Sequence, residues 1–188
     1  MAPHIYLASR SPRRQELLRQ VGVRFEVVEV DVDEAPRLGQ DPADYAGAMA
    51  LAKARAARAP QVLPVLGADT DVVVDGEILG KPRDRDDALA MLARLAGRTH
   101  EVYSAVAVVL GARVETALSV TRVSFGAIAP EEAGAYWDSG EPAGKAGAYA
   151  IQGGGARFVR EIQGSYSGVV GLPLYETLEL LVRFGVKP

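Results

Sequence analysis

The chain has 188 residues, 48% of them hydrophobic and 24% charged, with a net charge of −3 and no cysteine. The absence of cysteine excludes disulfide frameworks, cysteine zinc sites, iron–sulfur clusters and thiol nucleophiles. The slightly acidic charge excludes the basic surface typical of general nucleic-acid binders, so we expect any anion site to be local. These values predict one globular domain over residues 1–188.

The N-terminal segment reaches charged residues by Arg10, and no run of 18 apolar residues occurs in the sequence. A secretory signal and a membrane-spanning helix are therefore not expected. We predict a cytoplasmic protein that binds neither membranes nor nucleic acid.

Strand-like and helix-like apolar spacing alternate in the first third of the chain. Proline near a helix start and glycine or proline just beyond a helix end mark the boundaries. The predicted elements are a strand at Ile5–Ala8, a helix over 12–21, a strand at Phe25–Val30 and a helix over 42–56.

The remaining sequence predicts more strands than helices. Strands over 65–68 and 72–74 flank the polar pair Asp69-Thr70, and a turn at Asp75-Gly76 leads to Ile78-Leu79. A helix over 86–95, a long hairpin of strands 102–110 and 114–125, and helices over 130–137 and 173–184 follow. The mixture predicts an α/β or α+β fold, and the hairpins exclude a purely parallel sheet.

Glycine is concentrated between Gly140 and Gly171. Because this segment also contains core-forming residues such as Tyr149, Ile151 and Phe158, we predict a folded, loop-rich wall of a site rather than a linker.

The segment Ser9–Arg14 lies where the first strand ends and the first helix begins. Free N–H groups and the positive end of the helix dipole attract anions there, and Arg13 and Arg14 add forked donors that suit phosphate. A further cation, Lys81, follows Gly80 in a turn close to the Asp69 strand. The alternatives are a solvated helix turn and an ordinary surface lysine.

Carboxylates follow two of the predicted strands. Asp69, at the predicted C-terminal end of a strand, can act as a general base or hold a metal ion, with a structural turn residue as the alternative. Asp31, Asp33 and Glu34 gather hard oxygen ligands that suit Mg²⁺ bound together with substrate phosphates. A solvated acidic loop is the alternative for that group.

Taken together, these segments resemble the Maf family of nucleoside triphosphate pyrophosphatases. The resemblance covers nearly the whole chain and rests on an ordered series of short blocks. The blocks are LASRSPRR at 7–14, ALAK at 50–53, GADT at 67–70, LGKP at 79–82, KAGAY at 145–149, IQG at 151–153 and VVGLP at 169–173.

The resemblance implies an elongated, twisted mixed sheet flanked by helices, with a cleft between two lobes, as in the inosine triphosphate pyrophosphatases. It also implies hydrolysis between the α and β phosphates of a nucleoside triphosphate, with Mg²⁺ as cofactor and Mn²⁺ as the alternative ion. Asp69 matches the general base and a metal position, and Glu34 matches a further acidic position for the metal. The matching phosphate-binding residues are Ser9, Arg13, Arg14, Lys53 and Lys81, and Lys145 is the lysine of the late block.

Three positions favour the branch of the family that resembles dTTP/UTP pyrophosphatases. Arg13, Thr70 and Gln152 stand where the branch acting on 7-methylguanosine triphosphate carries Trp, Gln and Glu. A glutamine amide offers both a donor and an acceptor, as the edge of uracil or thymine requires. Hydrolysis of 7-methylguanosine triphosphate and a non-catalytic, nucleotide-binding role in regulating septum formation are the alternatives, and homodimer formation stays open.

The chain departs from the family pattern at three positions: Asp71 replaces an apolar residue, Gly144 an aspartate, and Gly168 a polar residue. Strand alternation places Asp71 on the same face as Asp69. If both carboxyl groups face the cleft, we expect Asp71 to raise the pKa of its neighbour Asp69.

Overall fold

The computed structural model describes residues 2–33, 39–60 and 62–187. Glu34, one of the predicted metal positions, lies outside these residues. No helix within the described ranges is long and apolar enough to cross a bilayer.

The described residues form strands and helices that alternate irregularly along the chain. Two 3₁₀ turns, at Ala146–Ala148 and Gly154–Phe158, lie in the glycine-rich segment. The elements are β1 (Ile5–Leu7), α1 (Pro12–Gln20), β2 (Phe25–Val27), α2 (Pro42–Ala56), β3 (Val65–Val74), β4 (Glu77–Leu79), α3 (Arg85–Leu95), β5 (Thr99–Leu110), β6 (Arg113–Phe125), α4 (Pro130–Asp138), β7 (Val159–Gln163), α5 (Tyr166–Val170) and α6 (Leu174–Arg183).

All these strands belong to one mixed sheet of seven strands, in the order β2-β1-β3-β5-β6-β7, with β4 beside β3. The strand β1 runs parallel to β2 and β3, and the other pairs are antiparallel. The predicted mixed α/β fold and the long β5–β6 hairpin are confirmed.

One edge of β3 changes partner along its length. The strand β1 pairs with Val65 and Leu66 only, and β4 pairs from Val72 onward. Among the described residues, no strand pairs with residues 67–71 on that side, whereas β5 pairs with β3 along the other side from Val65 to Val73. The end of β1 therefore opens beside the middle of β3, where the sequence places Asp69 and Thr70.

The prediction of two strands flanking Asp69-Thr70 is wrong, because β3 is continuous through both residues. The register with β5 supplies a partner for every residue from Val65 to Val73, so the polar pair does not interrupt the strand. Asp69 consequently lies in the middle of a strand rather than at its C-terminal end.

Smaller differences concern element ends and the glycine-rich segment. The second strand ends at Val27 rather than Val30, and α6 begins one residue after Pro173. The glycine-rich segment is folded, as predicted, but it also contains β7 and the short helix α5, which were not predicted.

Small side chains let α2 lie close to one face of the sheet. Ala50 and Ala54 are buried with Ala105 and Ala107 of β5. A Cβ built on Gly67 would lie 2.2 Å from the Ala50 carbonyl oxygen, so only glycine fits there. On the opposite face, the main apolar core includes residues of β3, α1, α3 and α6. This close contact brings the polar residues of α2 against β3.

We expect Gly67→Ala to lower the free energy of unfolding by about 1–3 kcal/mol, because the added methyl group forces α2 away from β3. Gly47→Ala on the same helix is the matched control. A Cβ at Gly47 meets no atom within 4 Å, so this helical substitution should raise stability by roughly 0.5–1 kcal/mol. Urea denaturation followed by circular dichroism measures both, and equal effects would contradict the packing argument.

Candidate active site

A buried ion pair joins α2 to the open part of β3. Lys53 Nζ donates to Asp69 Oδ1 at 2.6 Å, and the two residues are only 7% and 8% exposed. The side chain of Asp41 fixes the start of α2 by accepting from the N–H groups of Ala43 and Asp44. Since both charges have lost most of their water, each depends on the other for compensation.

Asp71 lies on the same face of β3, two residues beyond Asp69, and is only 7% exposed. Its Oδ2 atom accepts no hydrogen bond from the residues that the structure describes. Burial, and then the Asp69 carboxylate within hydrogen-bonding range, raises the pKa of Asp71 to about 8, against the opposing effects of Lys53 and Arg14. Near neutral pH, Asp71 therefore keeps its proton and can donate it to Asp69.

On the opposite face, Thr70 belongs to a polar network around Arg14. The guanidinium group of Arg14 donates to Gly171 O at 2.8 Å, to Ser9 Oγ at 3.2 Å and to Thr70 Oγ1 at 3.4 Å. Thr70 Oγ1 also shares a hydrogen bond of 2.8 Å with Ser104 Oγ. Arg14, in the first turn of α1, is thus held beside the end of β1 and the middle of β3.

A third group contains Arg13, Lys145 and Tyr136. Burial, and then the neighbouring Arg14, lowers the pKa of the half-buried Arg13. Burial, and then Arg13, lowers the pKa of Lys145. Two cations within electrostatic range of each other repel, so an anion bound beside both would be stabilised.

The other predicted residues, Lys81, Gln152, Asp31 and Asp33, lie outside the helices and strands. Lys81 is exposed, and its turn is joined to the glycine-rich segment by a 3.1 Å hydrogen bond from Gly147 N to Gly80 O. Gln152 is exposed, and its amide makes no hydrogen bond within the described ranges of the chain. Asp31 and Asp33 are exposed beyond β2.

The carboxylates of Asp69 and Asp71 fit a divalent cation. Mg²⁺ is commonly held by one or two carboxylates together with substrate phosphates, so the pair supplies enough protein ligands. The buried Asp71 Oδ2 atom, without a partner among the described residues, offers the required oxygen. Within the same ranges, no group of three or more histidine, cysteine, aspartate or glutamate side chains could hold a metal ion.

Sequence reasoning missed several residues that build the site. Ser104, 1% exposed, donates to Gly168 O at 3.0 Å and contacts Thr70 from the neighbouring strand. A polar residue within the apolar run of β5 was the available signal. Tyr136 and Glu141 carried no local signal, because their contacts are with the backbone of residues 150–155, more than ten residues further along the chain.

A family model described as Maf-like protein matches residues 4–184 of the chain. The chain belongs to the Maf family. Two similar relatives are both named dTTP/UTP pyrophosphatase. The protein of Saccharophagus degradans is 53% identical over 187 residues, covering 97% of this chain and 89% of that protein. The protein of Methylococcus capsulatus is 54% identical over 184 residues, covering 97% of this chain and 91% of that protein.

Among solved structures, the Ham1 protein of Staphylococcus aureus is 18% identical, with a TM-score of 0.48 over 96% of each chain. A HAM1 protein from Coxiella burnetii is 20% identical, with a TM-score of 0.43 over 66% of this chain and 73% of that one. Membership of the Maf family confirms the resemblance that the sequence blocks indicated.

The raised pKa of Asp71 gives the stability of this Maf protein a defined pH dependence. The folded state keeps a proton that the unfolded state releases, so the contribution of Asp71 is present below the ordinary carboxyl pKa of 3.8 and is lost as pH rises toward about 8. We expect Asp71→Asn to remove this decline.

We compare the wild-type protein and Asp71→Asn by urea denaturation in chelator-treated buffer. The measurements are made at pH 5, 6.5 and 8, which are about evenly spaced points across this range. Unfolding free energies that differ by the same amount at every pH would contradict the assignment.

Proposed function

We propose that this Maf protein hydrolyses dTTP and UTP to the nucleoside monophosphate and pyrophosphate. The observation that carries the proposal is the buried Lys53–Asp69 pair at the open edge of β3, with Arg14 of α1 held at the adjacent Thr70. A carboxylate held next to anion-binding groups suits attack of water on a phosphate better than binding alone. The names of the relatives support the pyrimidine substrates rather than 7-methylguanosine triphosphate.

Asp69 is the proposed general base. Lys53 donates to one of its oxygens at 2.6 Å, which orients the carboxylate. In this role Asp69 accepts a proton from the water that attacks the α phosphorus. The bond between the α phosphorus and the bridging oxygen breaks, and pyrophosphate leaves.

The leaving pyrophosphate gains negative charge, so fixed cations beside it lower the barrier. Arg14 is already held by Ser9 and Thr70, and it needs little reorganisation to meet a phosphate. Arg13 and Lys145 form the second cationic group, and the exposed Lys81 supplies a further cation from its turn.

Asp69 and Asp71 are the proposed ligands of a divalent metal ion, with Glu34 as the further ligand that the family resemblance implies. Mg²⁺, or Mn²⁺ as the alternative, supplies charge neutralisation to the bound triphosphate. Asp71 would hold the ion in its ionised form, through the buried Oδ2 atom that has no partner among the described residues.

Gln152 is the proposed reader of the pyrimidine. Its exposed amide is available to pair with the carbonyl and N–H groups of thymine or uracil. Arg13 is the second proposed specificity residue, and it lies within electrostatic range of Lys145 in the glycine-rich segment. Thr70 is the third, and its hydrogen bond from Arg14 supports a role in holding that arginine. A cytoplasmic location and homodimer formation stay predictions from the sequence.

We expect Asp69→Asn to reduce turnover of dTTP by roughly 10²–10⁴-fold, because an amide cannot accept the proton from water. In metal-free buffer, where the proposed metal-binding role of Asp69 has no part, binding of a non-hydrolysable dTTP analogue should change little. The assay quantifies dTMP, pyrophosphate and orthophosphate separately, and calorimetry measures binding. Asp44→Asn, an exposed aspartate of α2, is the control. Full activity of Asp69→Asn would exclude the base, and release of orthophosphate would exclude the cleavage position.

We expect Gln152→Glu to lower kcat/KM for dTTP and UTP by roughly tenfold to hundredfold. A carboxylate cannot donate to the base carbonyls, and leaving a carbonyl without a donor costs on the order of 1–3 kcal/mol. Lys81→Ala should instead lower kcat/KM for all triphosphates alike, because it acts on phosphate. Measurements with dTTP, UTP, CTP and GTP separate the two effects. Equal losses across the four bases in Gln152→Glu would show that residue 152 does not read the base.

A further inference from the structure

Glu141, which follows α4, binds the backbone of the loop over residues 150–155 with both carboxylate oxygens. The N–H group of Gly154 donates to Oε2 at 2.9 Å, and the N–H group of Gly155 donates to Oε1 at 3.1 Å. The hydroxyl group of Tyr136, from α4, donates to Oε1 at 2.5 Å. These hydrogen bonds hold the loop on the C-terminal side of Gln152.

Tyr136 holds the other side of the same loop. Its hydroxyl oxygen accepts from Ala150 N at 3.1 Å, and the residue is only 2% exposed. A Cβ built on Gly153 would lie 2.1 Å from Glu141 Oε2, and one on Gly155 would lie 2.7 Å from the Tyr136 hydroxyl oxygen. The two side chains therefore approach a backbone that only glycine allows to come so close.

Gln152 lies between the two held segments, and its own side chain makes no hydrogen bond within the described parts of the chain. The position of its amide is therefore set by the backbone of residues 150–155. A recognition group that is fixed before binding loses less conformational entropy when its ligand arrives. A backbone that moves by an ångström would separate the amide from the base that it reads.

We propose that Glu141 and Tyr136 are positioning residues for base selection, which fix the loop that carries Gln152. This inference rests on the proposed function, in which Gln152 reads the pyrimidine. Neither residue touches the nucleotide in this account. Their effect on selectivity passes through the hydrogen bonds to Ala150, Gly154 and Gly155.

The charge of Glu141 suits this role. Burial opposes its ionisation, but the hydrogen bonds from Tyr136, Gly154 and Gly155, together with the charge of Lys145, outweigh burial and lower the pKa of Glu141. The carboxylate is therefore ionised at the pH of ordinary assays, and charge-assisted hydrogen bonds to backbone N–H groups are the stronger kind.

The test is Glu141→Gln, in which an NH₂ group replaces one of the two oxygens that now accept. The readouts are kcat and KM for dTTP and UTP, and the inhibition constants of CTP and GTP against dTTP turnover. We expect KM for dTTP and UTP to rise about tenfold with a much smaller change in kcat, and the inhibition constants to change less than about twofold. Backbone amide exchange across residues 150–155 should become faster.

Two further variants guard against misfolding and non-specific effects. Tyr136→Phe removes only the hydroxyl group and should produce the same pattern if Glu141→Gln does not fold. Glu132→Gln is the matched control, because Glu132 Oε2 also accepts from a backbone N–H group, that of Ala129 at 3.1 Å, at the other end of α4. It should leave all the kinetic constants unchanged.

Gln152→Ala separates failure of this inference from failure of the proposed base reader. In that background, Glu141→Gln should cause no further loss of selectivity. If Gln152→Ala alone leaves selectivity intact, the proposed role of Gln152 is wrong and the positioning role falls with it. If Gln152→Ala lowers selectivity while Glu141→Gln and Tyr136→Phe leave it intact, or weaken all four triphosphates alike, only the positioning role is overturned.

Discussion

The buried contact between Lys53 and Asp69 is the interaction on which the rest of the site depends. It joins α2 to β3 at 2.6 Å, and both residues are buried. Truncating one partner of such a pair typically costs about 3–5 kcal/mol, because the remaining charge is left without compensation. The same contact orients the carboxylate proposed to activate water. Stability and the proposed chemistry therefore require the same two residues.

The sheet supplies the space in which this pair acts. Since β1 leaves β3 after Leu66 and β4 joins only at Val72, residues 67–71 have an edge without a strand partner in the described chain. Alternation along β3 sends Asp69 and Asp71 to one face and Thr70 to the other. The parallel partner β1 ends beside this edge and leads into α1, which delivers two adjacent arginines. The open edge thus collects carboxylates and cations from three elements.

Most elements could be predicted from the sequence, because apolar periodicity and proline or glycine punctuation mark them locally. The path of β3 could not, since its polar centre is sustained by pairing with β5, which is distant in sequence. The family blocks pointed to Asp69, Lys53 and Arg14. In the structure Lys53 binds Asp69 of β3, and Arg14 contacts Thr70 of the same strand. Tyr136 and Glu141 could not be found in this way, because their proposed roles arise from contacts across the fold rather than from a local pattern. Ser104 offered only a polar side chain within the apolar run of β5.

The central claim is that water held by Asp69 attacks the α phosphorus. Hydrolysis of dTTP in water enriched in ¹⁸O, followed by mass spectrometry of both products, tests it most directly. We expect the label to enter dTMP and the released pyrophosphate to carry none. Label in pyrophosphate would place the attack on the β phosphorus and contradict the account.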